Sequence, residues 1–142
     1  MEENLKQLLL KDLCARLPYG VIVRYFGVTK ELLGIIPSTE NVMVGYDIND
    51  YEDSCIEDIK PYLRPMSSMT EEEKKEFSIF GFEVIDHINA NRDECPKYQV
   101  IEVSNFSGIT EITVWFNAHH FDYRGLIEKG LAIEAPEGMY KS

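Results

Sequence analysis

The first apolar pattern in the chain is helical. Leu5, Leu8, Leu9, Leu13 and Leu17 recur at i, i+3 and i+4, with Lys6, Lys11, Asp12 and Arg16 mostly between them. That is the stripe of a helix that lays one face on a core. It predicts an amphipathic helix over residues 4–17, with Asn4 as N-cap, Pro18 as its stop and Tyr19-Gly20 turning the chain. β-branched and aromatic runs follow at 20–26, 30–36 and 42–46. The short spacers between them, including the turn Pro37-Ser-Thr-Glu-Asn41, predict a small antiparallel meander of about three strands packed on the first helix.

Beyond residue 55 the patterns mix. Residues 55–65 read as a short turn of helix or strand, then an extended linker set by Pro61 and Pro65. Thr70-Glu-Glu-Glu73 is a capping box, in which the Thr70 hydroxyl and the Glu73 carboxylate satisfy free amides reciprocally. It opens a helix with Glu71 and Lys75 at i, i+4 and an apolar stripe of Phe77, Phe80, Val84 and Ile88, joined by Ile85. The helix ends in Asn89-Ala-Asn91-Arg-Asp93, and Gly81, costly in a helix interior, marks where it would break. Tyr98 to Val103 reads as a strand. Residues 109–121 fit two patterns: Ile112, Val114 and Phe116 alternate as in a strand, while Ile109, Ile112, Phe116 and His120 share a helical face. The tail 125–142, with three glycines and one proline, reads as mostly irregular, with a short edge strand at Leu131–Glu134. The expected fold is one α+β domain over 1–142: an N-terminal helix, the meander, two helices with one further strand, and the irregular tail.

Composition narrows the function classes. The chain has 142 residues, 44% hydrophobic and 27% charged, and a net charge of −11. No run approaches the ~18 apolar residues of a membrane-spanning helix, so no membrane partner is expected. The acidity argues against direct nucleic-acid binding, which needs clustered Lys and Arg. Met1 to Asn4 carries two acids and no base, and the apolar run that follows is only Leu8-Leu9-Leu10, interrupted by Lys11 and Asp12, unlike a secretory signal. Cys14, Cys55 and Cys95 are odd in number, with no C-x-x-C pair. They read as free thiols of a cytoplasmic protein, Cys14 in the core, Cys55 blunted by neighbouring acids and Cys95 in a turn.

The charge is spread evenly, −5 over residues 1–71 and −6 over 72–142, with one dense patch: Asp47, Asp50, Glu52, Asp53, Glu57 and Asp58. Aligned as a calcium loop from Asp47, this patch puts Tyr51 at position 5, Glu52 where the turn glycine belongs and Asp58 at position 12. It therefore reads as a solvated acidic loop leading into a short helix, and no metal is expected.

His119-His120-x-Asp122 is the densest cluster of titratable side chains. Adjacent histidines point about 100° apart on a helix and to opposite faces on a strand, so one metal does not easily take both. One packed and one exposed histidine is the simpler reading. Glu83 and His87, at i, i+4 on the expected second helix, read as a local hydrogen-bonded pair. Trp115, Phe116, Phe121 and Tyr123 surround the histidine pair, and Arg124 follows. Trp115 and Phe116 read as core; His119, His120, Asp122, Tyr123 and Arg124 are the candidate binding residues, aromatics with Arg being typical of interface hot spots. No G-x-S-x-G elbow and no phosphate-binding glycine loop occurs. No catalytic residue and no cofactor is assigned.

Three blocks carry a resemblance: Leu17-Pro-Tyr-Gly-Val21; Ile59-Lys-Pro-Tyr-Leu-Arg-Pro-Met-Ser-Ser-Met-Thr-Glu-Glu-Glu73; and Phe116-Asn-Ala-His-His-Phe-Asp-Tyr-Arg-Gly-Leu-Ile-Glu-Lys-Gly-Leu-Ala-Ile-Glu-Ala-Pro136. They cover about a third of the chain. The sequence resembles an uncharacterised family of small bacterial proteins carried by prophages and mobile elements. The resemblance implies no activity. It suggests that 77–106 is the variable middle, and it favours helix over 109–121, with Ser107 as cap, because relatives carry helix-favouring residues before the Trp-x-Asn-Ala-His-His block.

Three functional expectations follow. The leading one is a non-enzymatic acidic module of phage or mobile-element origin that binds another protein, of host or phage, in its specific form by mimicking nucleic acid at a basic site. The second is a small hydrolase or ligand-binding enzyme using His119, His120 and Asp122, which requires the three to converge in one pocket. The third is a self-assembling structural phage protein.

Overall fold

The leucine stripe forms helix α1 (Glu3–Arg16), which the computed structural model extends through a 3₁₀ turn at Leu17–Tyr19 with Pro18 in its first positions. Residues 2–36, 38–47, 49–78, 82–87, 98–103 and 109–140 are described. The helix begins one residue before Asn4, its N-cap position is Glu2, and no side chain caps it. Leu9 and Leu13 are fully buried, as the stripe requires. Asp12 and Arg16, which the polar pattern placed outward, are fully buried as well, whereas Cys14, expected in the core, is exposed.

The meander is longer than three strands. Strands β1 (Ile22–Tyr25), β2 (Val28–Ile36) and β3 (Asn41–Asp47) match the three apolar runs. A fourth, β4 (Asp50–Cys55), is built from the acidic segment expected to be a loop. It forms because it pairs in register with β3, from Asn41↔Cys55 to Val44↔Glu52. Its exposed side chains carry no apolar alternation, which is why the pattern hid it: only Ser54 is buried. A 3₁₀ turn at Ile56–Asp58 leads into β5 (Ile59–Leu63), which lies antiparallel to β1, and β8 (Ile133–Glu134) adds in parallel to β5. The six strands run in the order β4-β3-β2-β1-β5-β8. From β4 to β5 is about 19 Å across a flat sheet, whereas the short turn reaches about 14 Å even when extended. The sheet therefore curls, and α1 lies on its concave, apolar face with Val21, Val23, Leu32, Val42, Val44, Ile56, Ile59 and Leu63.

The Leu32 amide donates to the Val21 carbonyl at 3.0 Å, so Val21 and Val23 bond to β2. Pro61, opposite Val23, therefore sits at a non-bonded pair where its missing N–H costs the β1–β5 ladder nothing. The next bonding position, Ile22 opposite Tyr62, lies past the last pair of that ladder. The Tyr140 hydroxyl fills the gap, accepting from the Ile22 amide at 2.8 Å and donating to the Tyr62 carbonyl at 2.7 Å. The tail is thereby stitched to the sheet.

The capping box at Thr70 opens α2 (Glu71–Ser78), with the Glu73 amide donating to Thr70 Oγ1 at 3.1 Å and the Thr70 amide to Glu73 Oε1 at 3.0 Å. On this helix Lys74 pairs with Glu71 at 3.3 Å. The helix takes in only the start of the expected stripe, at Phe77: Phe82–His87 is strand β6, antiparallel to β7 (Tyr98–Val103). Glu83 and His87 are thus on a strand, without the helical spacing that would pair them. The expected helix end at 89–93, Cys95 and the Ser107 cap lie outside the described residues. Ile109–Ala118 is helix α3, and its Ile112, Trp115 and Phe116 form a second core with Met69 and Phe121.

Candidate functional site

Helix α3 ends at Ala118, and His120 takes a left-handed φ of +65° that reverses the chain. The backbone then docks beside Arg64: the Arg64 amide donates to the His120 carbonyl and the Asp122 amide to the Arg64 carbonyl, each at 2.8 Å. This bridge places the five candidate residues, and it separates them. His119 stacks on Trp115 at 4.2 Å and faces two carboxylates, Nδ1 at 3.4 Å from Glu73 and Nε2 at 3.8 Å from Glu76. His120 stacks instead on Tyr140 at 3.7 Å. Its Nδ1 is buried without a hydrogen-bond partner, and burial, helped by the positive charges of Arg16 and Arg64 and by His119, pushes its pKa down to about 4. Asp122 is structural, accepting the amides of Leu126 at 2.8 Å and Ile127 at 3.0 Å. His119, His120 and Asp122 therefore serve three different neighbourhoods.

Tyr123 and Arg124, both half-buried, belong to a network around the buried Asp12 and Arg16 that sequence reasoning missed. Arg16 donates from Nε to Asp12 at 2.7 Å and from Nη2 to the Phe121 carbonyl at 2.7 Å. Arg124 donates to the other Asp12 oxygen at 2.8 Å. The Tyr123 ring lies under both guanidinium groups, and its hydroxyl donates to Asn117 at 3.0 Å. One carboxylate thus holds two arginines from opposite ends of the chain. A buried charge this well bonded locks an arrangement more than it adds stability. The i, i+4 spacing of Asp12 and Arg16 was the signal, but it reads the same for an exposed pair.

A cleft of about 590 Å³ opens between α2 and the tail, with Arg64, His119 and Tyr140 among its lining and Glu72, Glu73, Glu76, Glu134 and Glu137 around it. Arg64 is not free to bind: it grips Glu73 with both terminal guanidinium nitrogens, at 2.6 and 2.7 Å. Burial pushes the Glu73 carboxyl up, but the paired Arg64 and the Thr70 bonds of the capping box outweigh it and hold the group at about 2. Of the five candidate residues only His119 lines this cleft.

The acidic patch divides. Glu57 is tied to Lys6 of α1 at 2.9 Å, and this bond lowers its pKa. Asp58 ends the 3₁₀ turn. Asp47, Asp50, Glu52 and Asp53 stay together on the β3–β4 hairpin, where Lys30 reaches Glu52 at 3.8 Å. Four of the six exposed large apolar side chains among the described residues share this end of the sheet: Phe26 at 71%, Val28 at 46%, Tyr46 at 63% and Tyr51 at 43% exposed. The register puts them there, since Tyr25 pairs with Val28, Glu31 with Gly45 and Gly45 with Tyr51. Phe26 holds a positive φ of 47° in a two-residue hairpin turn that favours Asn or Gly.

Among the described residues, no three His, Cys, Asp or Glu side chains come together as metal ligands, and no helix is long and apolar enough to cross a membrane. No family model, curated protein or solved structure matches the chain.

Proposed function

We propose that this chain is a non-enzymatic, acidic protein-binding module of phage or mobile-element origin, working in the cytoplasm on a basic partner protein. The observation that carries the reading is the shared location of exposed aromatics and unburied acids at one end of the curled sheet. Grouped apolar exposure ringed by charge is the usual form of a protein interface. The acids would steer a basic partner and the aromatics would anchor it. Mimicry of nucleic acid at a basic site is the specific form of this reading. The hydrolase reading has no comparable support, because His119, His120 and Asp122 do not share a pocket. Self-assembly through this surface would set like charges against each other.

The test is capture of partners from bacterial lysate by the wild-type chain and by a variant carrying Asp50→Asn, Glu52→Gln and Asp53→Asn. Specific partners should be basic, should be lost between low and moderate salt, and should be absent from the variant. An interaction indifferent to both salt and variant contradicts the reading.

A further inference from the structure

We propose that β4 is a docking edge that takes an extended, basic segment of a partner protein as an additional antiparallel or parallel strand. The inference rests on the protein-binding reading above and names its partner chemistry and mode.

Strand β4 is the terminal strand of the six, and all its side chains except Ser54 are exposed. An edge strand presents N–H and C=O groups that nothing in its own sheet uses. Their positions follow from the ladder. The Ile56 amide donates to the Glu40 carbonyl at 3.2 Å, so Glu40 and Ile56 form a hydrogen-bonded pair. Bonded pairs alternate along an antiparallel ladder, so Ser54 and Glu52 bond inward to β3. Tyr51 and Asp53 then turn their amides and carbonyls outward, while the Cys55 carbonyl already accepts the Ser54 hydroxyl at 3.1 Å. The outward groups sit between acids on both faces of the strand, Asp50 and Glu52 on one and Asp53 on the other.

This charge selects the occupant. A second copy of β4 would bring carboxylates opposite carboxylates, which destabilises a strand pair, whereas Lys or Arg opposite them stabilises it. Tyr46 and Tyr51, exposed beside the same edge, offer apolar surface for the alternate residues of the incoming strand.

The test is titration of the intact chain with a short peptide alternating Lys with Val and Thr, against the same sequence N-methylated at successive residues. The methylated peptide keeps the charge but has neither edge free to donate. Salt-sensitive binding of the first peptide and at least about tenfold weaker binding of the second is expected. Amide exchange should slow at Tyr51 and Asp53 and change little at Glu52 and Ser54. If both peptides bind alike, strand addition is overturned while the charge-based reading stands. Binding of neither overturns both. A salt-independent dimer of the chain that buries β4 makes the occupant a second copy and also overturns the proposal.

Discussion

At the scale of single residues, the least expected feature is the buried pair of Asp12 and Arg16, with the half-buried Arg124 on the same carboxylate. Removing Arg16 strands half of a buried carboxylate's bonding. Arg16→Met should cost about 3 kcal/mol or more, the usual penalty for breaking a buried pair. Pairing it with Asp12→Asn should recover part of that loss, and denaturant unfolding of the two variants checks it. His120 supplies a pH signature. Its folded pKa is about 4, below the ordinary 6.5, so the unfolded chain binds its proton first. Stability should therefore be complete above pH 6.5 and fall as the pH drops towards 4. Glu73, held at about 2, adds a second loss as the pH falls from 4.5 to 2. His120→Asn, which tolerates the left-handed backbone, should flatten the upper segment of the stability–pH curve and leave the lower one. Apart from the Thr70 bonds of Glu73, this was not readable beforehand, because burial of a polar residue is decided by distant partners, as Phe121 is for Arg16, more than 100 residues away.

Elements divide by how local their causes are. The first helix, the runs that became β1, β2 and β3, and the Thr70 capping box were legible because their stripes, turns and caps lie within a few residues of each other. Helix over 109–118 needed the family resemblance, since the spacing fitted strand equally. Strand β4 was illegible: its side chains are charged, and its strand character comes from pairing with β3. The helix after Thr70 was read too long because Val84 and Ile88 continue its stripe, yet Phe82 and Val84 also alternate, and pairing with β7 decides for strand. Gly45 shows how tightly the β3–β4 hairpin is made: a Cβ there would sit 2.3 Å from the Asp50 carbonyl oxygen and 2.6 Å from the Tyr51 Cα. Gly45→Ala must push β4 away, at a cost of about 1–3 kcal/mol in thermal or chemical unfolding. It should also weaken any partner held by the β4 edge, a coupling that an ordinary surface substitution would not show. Thr70→Ala, by contrast, should cost about 1 kcal/mol of stability and leave partner binding intact, because the box lines the cleft beside Glu134 of β8, at the other end of the strand order from β4.

For the whole molecule, the net charge of −11 gains a geography. Some acids are spent internally, as Asp12 and Asp122 are, and others are paired, as Glu57 and Glu73 are. Among the described residues, exposed acids cluster in two places, the cleft beside α2 and the hairpin ending in β4, with others such as Glu2, Glu3, Glu31 and Glu128 scattered, and of the two clusters the second also exposes Tyr46 and Tyr51. Among the described residues, charge that is even along the sequence is uneven in space. The account places the contact surface on β4, and residue-resolved NMR of the isotope-labelled chain titrated with the Lys-rich peptide tests that directly. Shifts confined to Asp47–Cys55 and the neighbouring Phe26 and Tyr46, fading as salt rises, are the predicted result. Shifts centred on Glu72, Glu76, Glu134 and Glu137, or none anywhere on the chain, would contradict it.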